Sequence, residues 1–257
     1  MTSGWFRSIG LALCLTARSA HAIEDRADID PSDPLRTGQS VAWKATWGHY
    51  RNAEHGVATD LNVRGNTQNT TYWLGLYSGA DGFSQSRLGI ERSTTVRYGR
   101  VISSLQMASG GFVGGSVTWM GPRGEAEGFA PLLGWGRTNV KPYFNLNFDP
   151  NDSVLWGGAY THRTLGDLTL FQLFDDRLGT GQRVTHLVWR RPFVNEVRLT
   201  ADVFSRKGAS EAGQPVVSGN GFSVAADIQD FFVKMAHDQK ANFSHVKETR
   251  VSIGVRF

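Results

Sequence analysis

From Val41 to the last residue, almost every segment of this chain alternates apolar and polar side chains with a period of two. Residues two apart share one face of a β-strand, whereas a helix face repeats every 3.6 residues, so the pattern commits the chain to sheet. In VAWKATWGH, Val41, Trp43, Ala45 and Trp47 share one face, and Ala42, Lys44, Thr46 and Gly48 the other. VATDLNVR opposes Val57, Leu61 and Val63 to Asp60, Asn62 and Arg64. EVRLTADVFSR opposes Val197, Leu199, Ala201 and Val203 to Arg198, Thr200 and Asp202, and GFSVAADIQ continues through Phe222, Val224, Ala226 and Ile228. KPYFNLNFD carries the same alternation, Phe144, Leu146 and Phe148 against Asn145, Asn147 and Asp149, and is predicted as a further strand. No helix-period stretch of about ten residues competes, so the expected fold class is all-β.

Turn chemistry separates the segments: SGADG at 78–82, SGG at 109–111, DPND at 149–152 and DRLGTGQ at 176–182. About thirteen to fifteen strands can be drawn by alternation and turn signals, with Ser84 to Val101 ambiguous. The longest irregular stretch is expected at ASEAGQPVVSG, Ala209 to Gly219. No internal repeat, low-complexity tract or second domain is visible.

The N-terminal region differs in kind. Arg7 precedes an apolar stretch from Ile9 to Ala17, and Ala20-His21-Ala22 has the small-x-small pattern of a cleavage site. Residues 1–22 therefore read as a secretory signal peptide, too short for a membrane helix. Cys14, the single cysteine, falls inside it, and the bulky Leu13 before it argues against a lipoprotein site. The remaining chain would carry no disulfide. Residues 23–40 read as a flexible acidic periplasmic leader, outside the wall or tucked into the lumen, with Glu24, Asp25, Asp28, Asp30 and Asp33 against Arg26 and Arg36. Residues 41–257 are the expected barrel. No later stretch approaches about 18 unbroken apolar residues.

Alternation alone also fits a soluble β-sandwich, in which one face of each sheet packs on a core. Three features favour a barrel in a membrane. Tilted strands of about 9–11 residues with apolar-out, polar-in alternation are what crosses a bilayer. Large aromatics (Trp43, Trp47, Trp119, Phe148) lie near strand ends on the apolar parity, as interfacial girdles do. Arg, Lys, Asp and Asn occupy the opposite parity in mid-strand, where a sandwich core would reject them. In lipid every backbone group must be satisfied within the protein, so the sheet must close. A transmembrane antiparallel β-barrel of 12 or 14 strands is predicted.

The final residues, RVSIGVRF, alternate hydrophobics and end on Phe257. This ending resembles the C-terminal strand of Gram-negative outer-membrane β-barrel proteins. The resemblance covers the last ten or so residues together with the signal peptide and strand pattern, and carries no subfamily motif. It implies that Phe257 belongs to an assembly signal read by the barrel-assembly machinery, and that the protein sits in the cell outer membrane among its lipid and lipopolysaccharide after export through the periplasm.

Residues that would carry chemistry are sparse. Ser116 in VGGSVTW lacks the second glycine of G-x-S-x-G, and no H-x-S occurs. Ser244 and His245 are adjacent and would point to opposite faces of a strand. His162, His186 and His237 have no partner that the sequence identifies, so no catalytic residue is assigned. No metal motif is present: Asp149 and Asp152 first form a turn, as do Asp175 and Asp176. GWGRTN, residues 134–139, lacks the final glycine and following helix of a phosphate loop. No cofactor and no nucleic-acid partner are expected.

The basic residues remain. Removing Arg7, Arg18, Arg26 and Arg36 from the 27 basic residues, and the five leader carboxylates from the 23 acidic ones, leaves 23 against 18 from Val41 onward. Parity places Lys44, Arg64, Arg87, Arg198, Arg206, Arg250 and Arg256 opposite the apolar face, hence on the lumen side. Arginine's planar fork suits carboxylate, phosphate and sulfate, so these are candidate lumen-lining residues for an anionic solute. The competing expectation is a plug in which they pair with Asp60, Glu91, Asp202 and Asp227, since small barrels are commonly filled by their own side chains. Two functions follow. One is a channel or porin-like barrel passing small hydrophilic, anionic solutes. The other is a non-conducting barrel acting as a lipid-modifying enzyme, adhesion surface or assembly partner.

Overall fold

The last strand pairs with the first. In the computed structural model, which describes residues 42–52, 54, 56–122, 127–144, 150–193 and 197–257, Lys44 to Asn52 run antiparallel to Arg256 to Glu248. The strands, in chain order, are β1 (Ala42–Asn52), β2 (Gly56–Asn66), β3 (Thr70–Gly79), β4 (Ser84–Val96) and β5 (Gly99–Ala108). They continue with β6 (Phe112–Met120), β7 (Gly128–Thr138), β8 (Ser153–His162), β9 (Gly166–Asp175) and β10 (Arg183–Pro192). The circuit ends with β11 (Val197–Gly208), β12 (Val217–Ile228), β13 (Phe231–Asp238) and β14 (Glu248–Arg256). Each strand pairs with its neighbour in sequence, so these 14 antiparallel strands form a closed barrel. Among the described residues the only helical element is a 3-10 turn, Ala241–Phe243.

Alternation becomes the two faces of the wall. Trp47, Leu61, Leu74, Leu88, Leu133, Leu170, Val203 and Ile253 stand exposed on the outside, while Lys44, Asp60, Arg87, Thr200, Asp202 and Arg250 are buried within. An apolar surface running around a whole molecule would drive association in water and is stable against hydrocarbon. Closure leaves no sheet edge, which removes the cost of unpaired backbone groups in lipid. Exposed aromatics collect where β1 begins and β14 ends: Trp43, Tyr72, Phe129, Tyr160, Phe193, Phe231 and Phe257. Their rings suit the boundary between hydrocarbon and headgroups.

Both termini of the barrel lie at this end, and the opposite end carries the three longest connections between these strands, 139–152, 209–216 and 239–247. The ambiguous region from Ser84 to Val101 is β4, a two-residue turn at Arg97 and Tyr98, and the start of β5. One expectation is overturned. Lys141 to Phe144 are not a strand, and Tyr143 and Phe144 are buried instead of facing lipid. The alternation misleads because inward-folded loop residues also bury aromatics between polar positions. Leu146, Phe148 and Asp149 lie outside the described residues. The longest connection is consequently 139–152, not the 209–219 stretch, whose last three residues begin β12. The signal peptide, Cys14 and the acidic leader also lie outside the described residues.

Candidate functional site

The interior is divided into two unlike halves. Along β7 to β12, Leu132, Leu155, Phe171, Leu173, Val184, Val188, Phe204 and Val217 point inward and pack with Phe243 into one apolar cluster. Segments such as LTLFQLF in β9 are apolar on both parities, and the inward set, Phe171 and Leu173, fills the barrel like a globular core. The other half, formed by β1 to β4 and β12 to β14, is polar and cationic.

Register brings the cations together. Lys44 on β1 lies directly opposite Arg64 on β2 and Arg256 on β14, a row of three like charges across three adjacent strands. Like charges in directly opposed positions are destabilising, so the row needs compensation. Aromatic faces supply part of it: Lys44 Nζ lies 3.9 Å from the Phe232 ring centroid, Arg64 lies 5.7 Å from Trp73, and Arg256 lies 5.8 Å from Phe232. Each such contact contributes about 0.5–2 kcal/mol depending on desolvation. Asp227 adds to it at the terminal end, pairing with Arg256 and, at 3.2 Å, with Arg198.

Nearer the loop end, Arg250 sits opposite Tyr50 and its Nη1 donates to the Tyr50 hydroxyl at 3.3 Å. Arg87 is buried in an ion pair with Asp60. Gly75 faces Arg87 across β3 and β4, and a Cβ there would press on the guanidinium, so the bare position makes its room. Between these groups is a narrow cavity of about 40 Å³. Among the described residues, Lys44, Arg64, Lys234 and Arg250 line it with Asp60 as the carboxylate, and Thr46, Asn62 and Ser252 stand between them.

The segment after β7 roofs this sector. Gln85 holds it at two points, accepting from the Phe144 N–H at 2.7 Å and donating to the Pro142 carbonyl at 3.0 Å. Arg87 Nη1 donates to the Phe144 carbonyl at 2.7 Å. The Phe144 ring stacks on Tyr77, centroids 3.3 Å apart, and meets Tyr50 edge-on at 5.2 Å. On the return, Pro150 lies against β7 at Gly136, where any Cβ would overlap the Pro150 carbonyl. The glycines of GWGRTN therefore serve as a flat seat for a returning chain. Asp152 fastens that leg, accepting from Thr138 N–H at 3.1 Å and from Arg177 Nη1 at 2.6 Å.

Of the seven basic residues singled out by parity, Lys44, Arg64, Arg87 and Arg250 surround the cavity or its roof. Arg198 and Arg256 clamp Asp227 at the terminal end. Arg206 lies apart, paired with Asp238 at 2.6 Å between the rings of Phe204 and Phe243. Pairing of arginines with the expected carboxylates is seen at Asp60 and at Asp227. Asp202 meets His186 at 3.0 Å, and Glu91 accepts from the Ser104 hydroxyl at 2.9 Å. Lys234 was missed, although FFVKMAHD alternates and places it on the inward parity between Val233 and Met235.

The histidines have structural surroundings. His186 is buried, stacked on Phe171 at 4.7 Å, with no hydrogen-bond partner at Nε2. His162 Nδ1 accepts from the N–H groups of Thr164 and Leu165, and His237 Nδ1 meets the Thr249 hydroxyl at 3.0 Å.

No protein-family model matches the chain, and no curated protein matches it. Solved structures do. The outer membrane protein Omp33 of Acinetobacter baumannii is 12% identical, aligns over 85% of this chain and 100% of that one, and gives a TM-score of 0.56. The KdgM porin is 8% identical over 83% of this chain and 99% of that chain, with a TM-score of 0.45. The NanC porin is 10% identical over 84% and 98%, also with a TM-score of 0.45. At these identities the likeness is one of fold alone: a closed antiparallel β-barrel, as in the outer membrane protein Omp33.

Proposed function

We propose that this protein is an outer-membrane channel whose polar half-lumen passes small hydrophilic solutes with a preference for anions. The observation that carries this reading is the cavity lined, among the described residues, by Lys44, Arg64, Lys234 and Arg250 with one carboxylate, Asp60. In a narrow passage with low-dielectric walls, fixed charges focus their field on the path, and a modest excess of one sign biases what enters. The apolar packing along β7 to β12 confines any path to the cationic side, which strengthens that bias.

A second reading is favoured by one specific feature. The 141–144 segment, held inward by Gln85 and Arg87, narrows the loop end, as it would in a non-conducting barrel serving as a surface or assembly partner. Planar-bilayer recording separates the two. Wild-type protein is expected to conduct and, under a salt gradient, to give a reversal potential on the anion side, larger at low salt. A Lys44, Arg64 and Arg250 to Ala triple variant should lose that preference. A silent or cation-selective wild type would overturn the channel reading.

A further inference from the structure

We infer that the outer wall of β9 to β12, at the loop end, is a docking site for a membrane lipid whose headgroup carries a phosphate monoester. The site lies on the lipid side of the wall, apart from any path through the lumen, so it is tested without conduction.

Register builds the site in three rows across four strands. Leu170 faces Leu187, Leu187 faces Val203 and Val203 faces Phe222, all exposed on the outer wall. Two residues nearer the loops, the same pairing sets Gln172, Thr185, Ser205 and Asn220 side by side. Two residues further, the row is Phe174, Arg183, Lys207 and Ser218. A strand rises about 3.3 Å per residue, so successive rows stand roughly 7 Å apart along strands that tilt through the bilayer. Apolar, then amide and hydroxyl, then cationic is also the order of a lipid read outward: acyl chain, linkage, phosphate.

Charge makes the top row a site. Arg183 lies directly opposite Lys207, and like charges so placed, with Cβ atoms about 4.5–5.5 Å apart, are destabilising. Arg183 leans on the Phe174 ring at 5.0 Å, and neither cation forms an ion pair with a described residue. The neighbouring carboxylates are engaged elsewhere or set apart. Asp175 points inward and accepts from the Thr180 N–H at 2.7 Å, Asp176 is held by Arg137 at 2.7 Å, and Glu211 in the 209–216 connection pairs with neither cation. A phosphate monoester carries close to two negative charges near neutral pH and three acceptor oxygens. Bridging Arg183 and Lys207, it replaces their repulsion by charge-assisted hydrogen bonds.

The loops hold the two cations in place. Asp175 also accepts from the N–H groups of Arg177 and Leu178, which pins the turn between β9 and β10. That turn is tied to the end of β11: the Ala209 N–H donates to the Thr180 carbonyl at 3.0 Å, and Gln182 Nε2 donates to the Ala209 carbonyl at 2.8 Å. The backbones carrying Arg183 and Lys207 are fixed relative to each other, which lowers the ordering cost of a bound headgroup.

The test is native mass spectrometry of the membrane-purified protein in detergent micelles, with phosphatidic acid, phosphatidylglycerol and phosphatidylcholine of matched chains. Phosphatidic acid is expected to bind about twentyfold more tightly than phosphatidylcholine and several-fold more tightly than phosphatidylglycerol, at about fivefold per cation. Arg183→Gln and Lys207→Gln should each weaken phosphatidic acid by about fivefold on that scale. Arg51→Gln, on the exposed outer face of β1 at the same end, should leave it unchanged. Melting temperature gives a second readout. In zwitterionic micelles Lys207→Gln should melt higher than wild type, because the repulsion is gone, and it should gain less than wild type when phosphatidic acid is added. Equal binding of phosphatidic acid and phosphatidylcholine, affinity indifferent to both site variants, or an equal loss with Arg51→Gln would overturn the inference. Displacement of phosphatidic acid by an equal concentration of inorganic phosphate would overturn it as well, because the site would then read a soluble anion.

Discussion

Trp43 and Phe257 hold each other in both directions: the Trp43 N–H donates to the Phe257 carbonyl at 2.9 Å, and the Phe257 N–H donates to the Trp43 carbonyl at 3.0 Å. This reciprocal pair is the terminal rung of the β1–β14 seam, and both side chains stand in the aromatic collar. Removing Phe257 deletes the rung and one interfacial anchor; Phe257→Asp keeps the backbone pair but places charge in the collar. Both variants should assemble less efficiently, with deletion the more severe. Heat-modifiable electrophoretic mobility of the membrane fraction measures this, and wild-type yield for both would show that the rung is dispensable.

Ile253 lies opposite Trp47 on β1 and Val233 on β13, half-exposed on the outer wall. Ile253→Arg places a charge against hydrocarbon and should cost about 2–4 kcal/mol near the bilayer midplane. Folding titrations into lipid vesicles give the number. A neutral substitution would place this rung at an interface instead.

Asp60→Asn separates stability from selectivity. It strips the partner from a fully buried Arg87, and breaking such a pair costs about 3–5 kcal/mol. It also removes the one carboxylate that lines the cationic cavity among the described residues. Thermal stability should fall while the reversal potential moves further toward the anion side. A parallel fall in both would mean that the cavity charge does not govern permeation.

Phe144→Ala removes the ring stacked on Tyr77 from the roof of the polar sector. Single-channel conductance should rise without reversal of the anion preference. Gly136→Val should act similarly by a different route, because a side chain there displaces Pro150 and unseats the return leg of the segment. If both variants conduct as wild type does, the segment does not lie on the solute path.

Residues 1–22 are expected to be absent from the cellular protein, which should begin at Ile23 and fractionate with the outer membrane. N-terminal sequencing of the membrane fraction checks this. Recovery of a chain still carrying Met1, or of a soluble periplasmic species, would overturn it.

Much of the barrel was legible in the sequence because parity is a local property. Lys44, Arg64, Arg87 and Arg250 could be assigned to the inner face from their immediate neighbours alone, since successive strand residues point to opposite sides. Trp43, Leu61 and Ile253 could be assigned to the outer face for the same reason. The sequence by itself thus determined an all-β chain, a wall with an apolar outside, and the chemical character of most inward positions. It left 12 and 14 strands equally open, because strand number depends on which turns are crossed and which segments fold inward. Phe144 alternates as a strand residue does, yet its place is decided by Gln85 and Arg87, far away in sequence, which bind its backbone. The row of Arg64, Lys44 and Arg256 exists only because closure sets opposite ends of the chain in one register. Pairing of β10 with β11 joins Asp202 to His186, and Arg206 lies apart from the other cations beside Asp238. Facing direction is written residue by residue in the backbone's two-residue repeat, whereas proximity across a barrel is set by strand pairing and shear, which no single segment encodes.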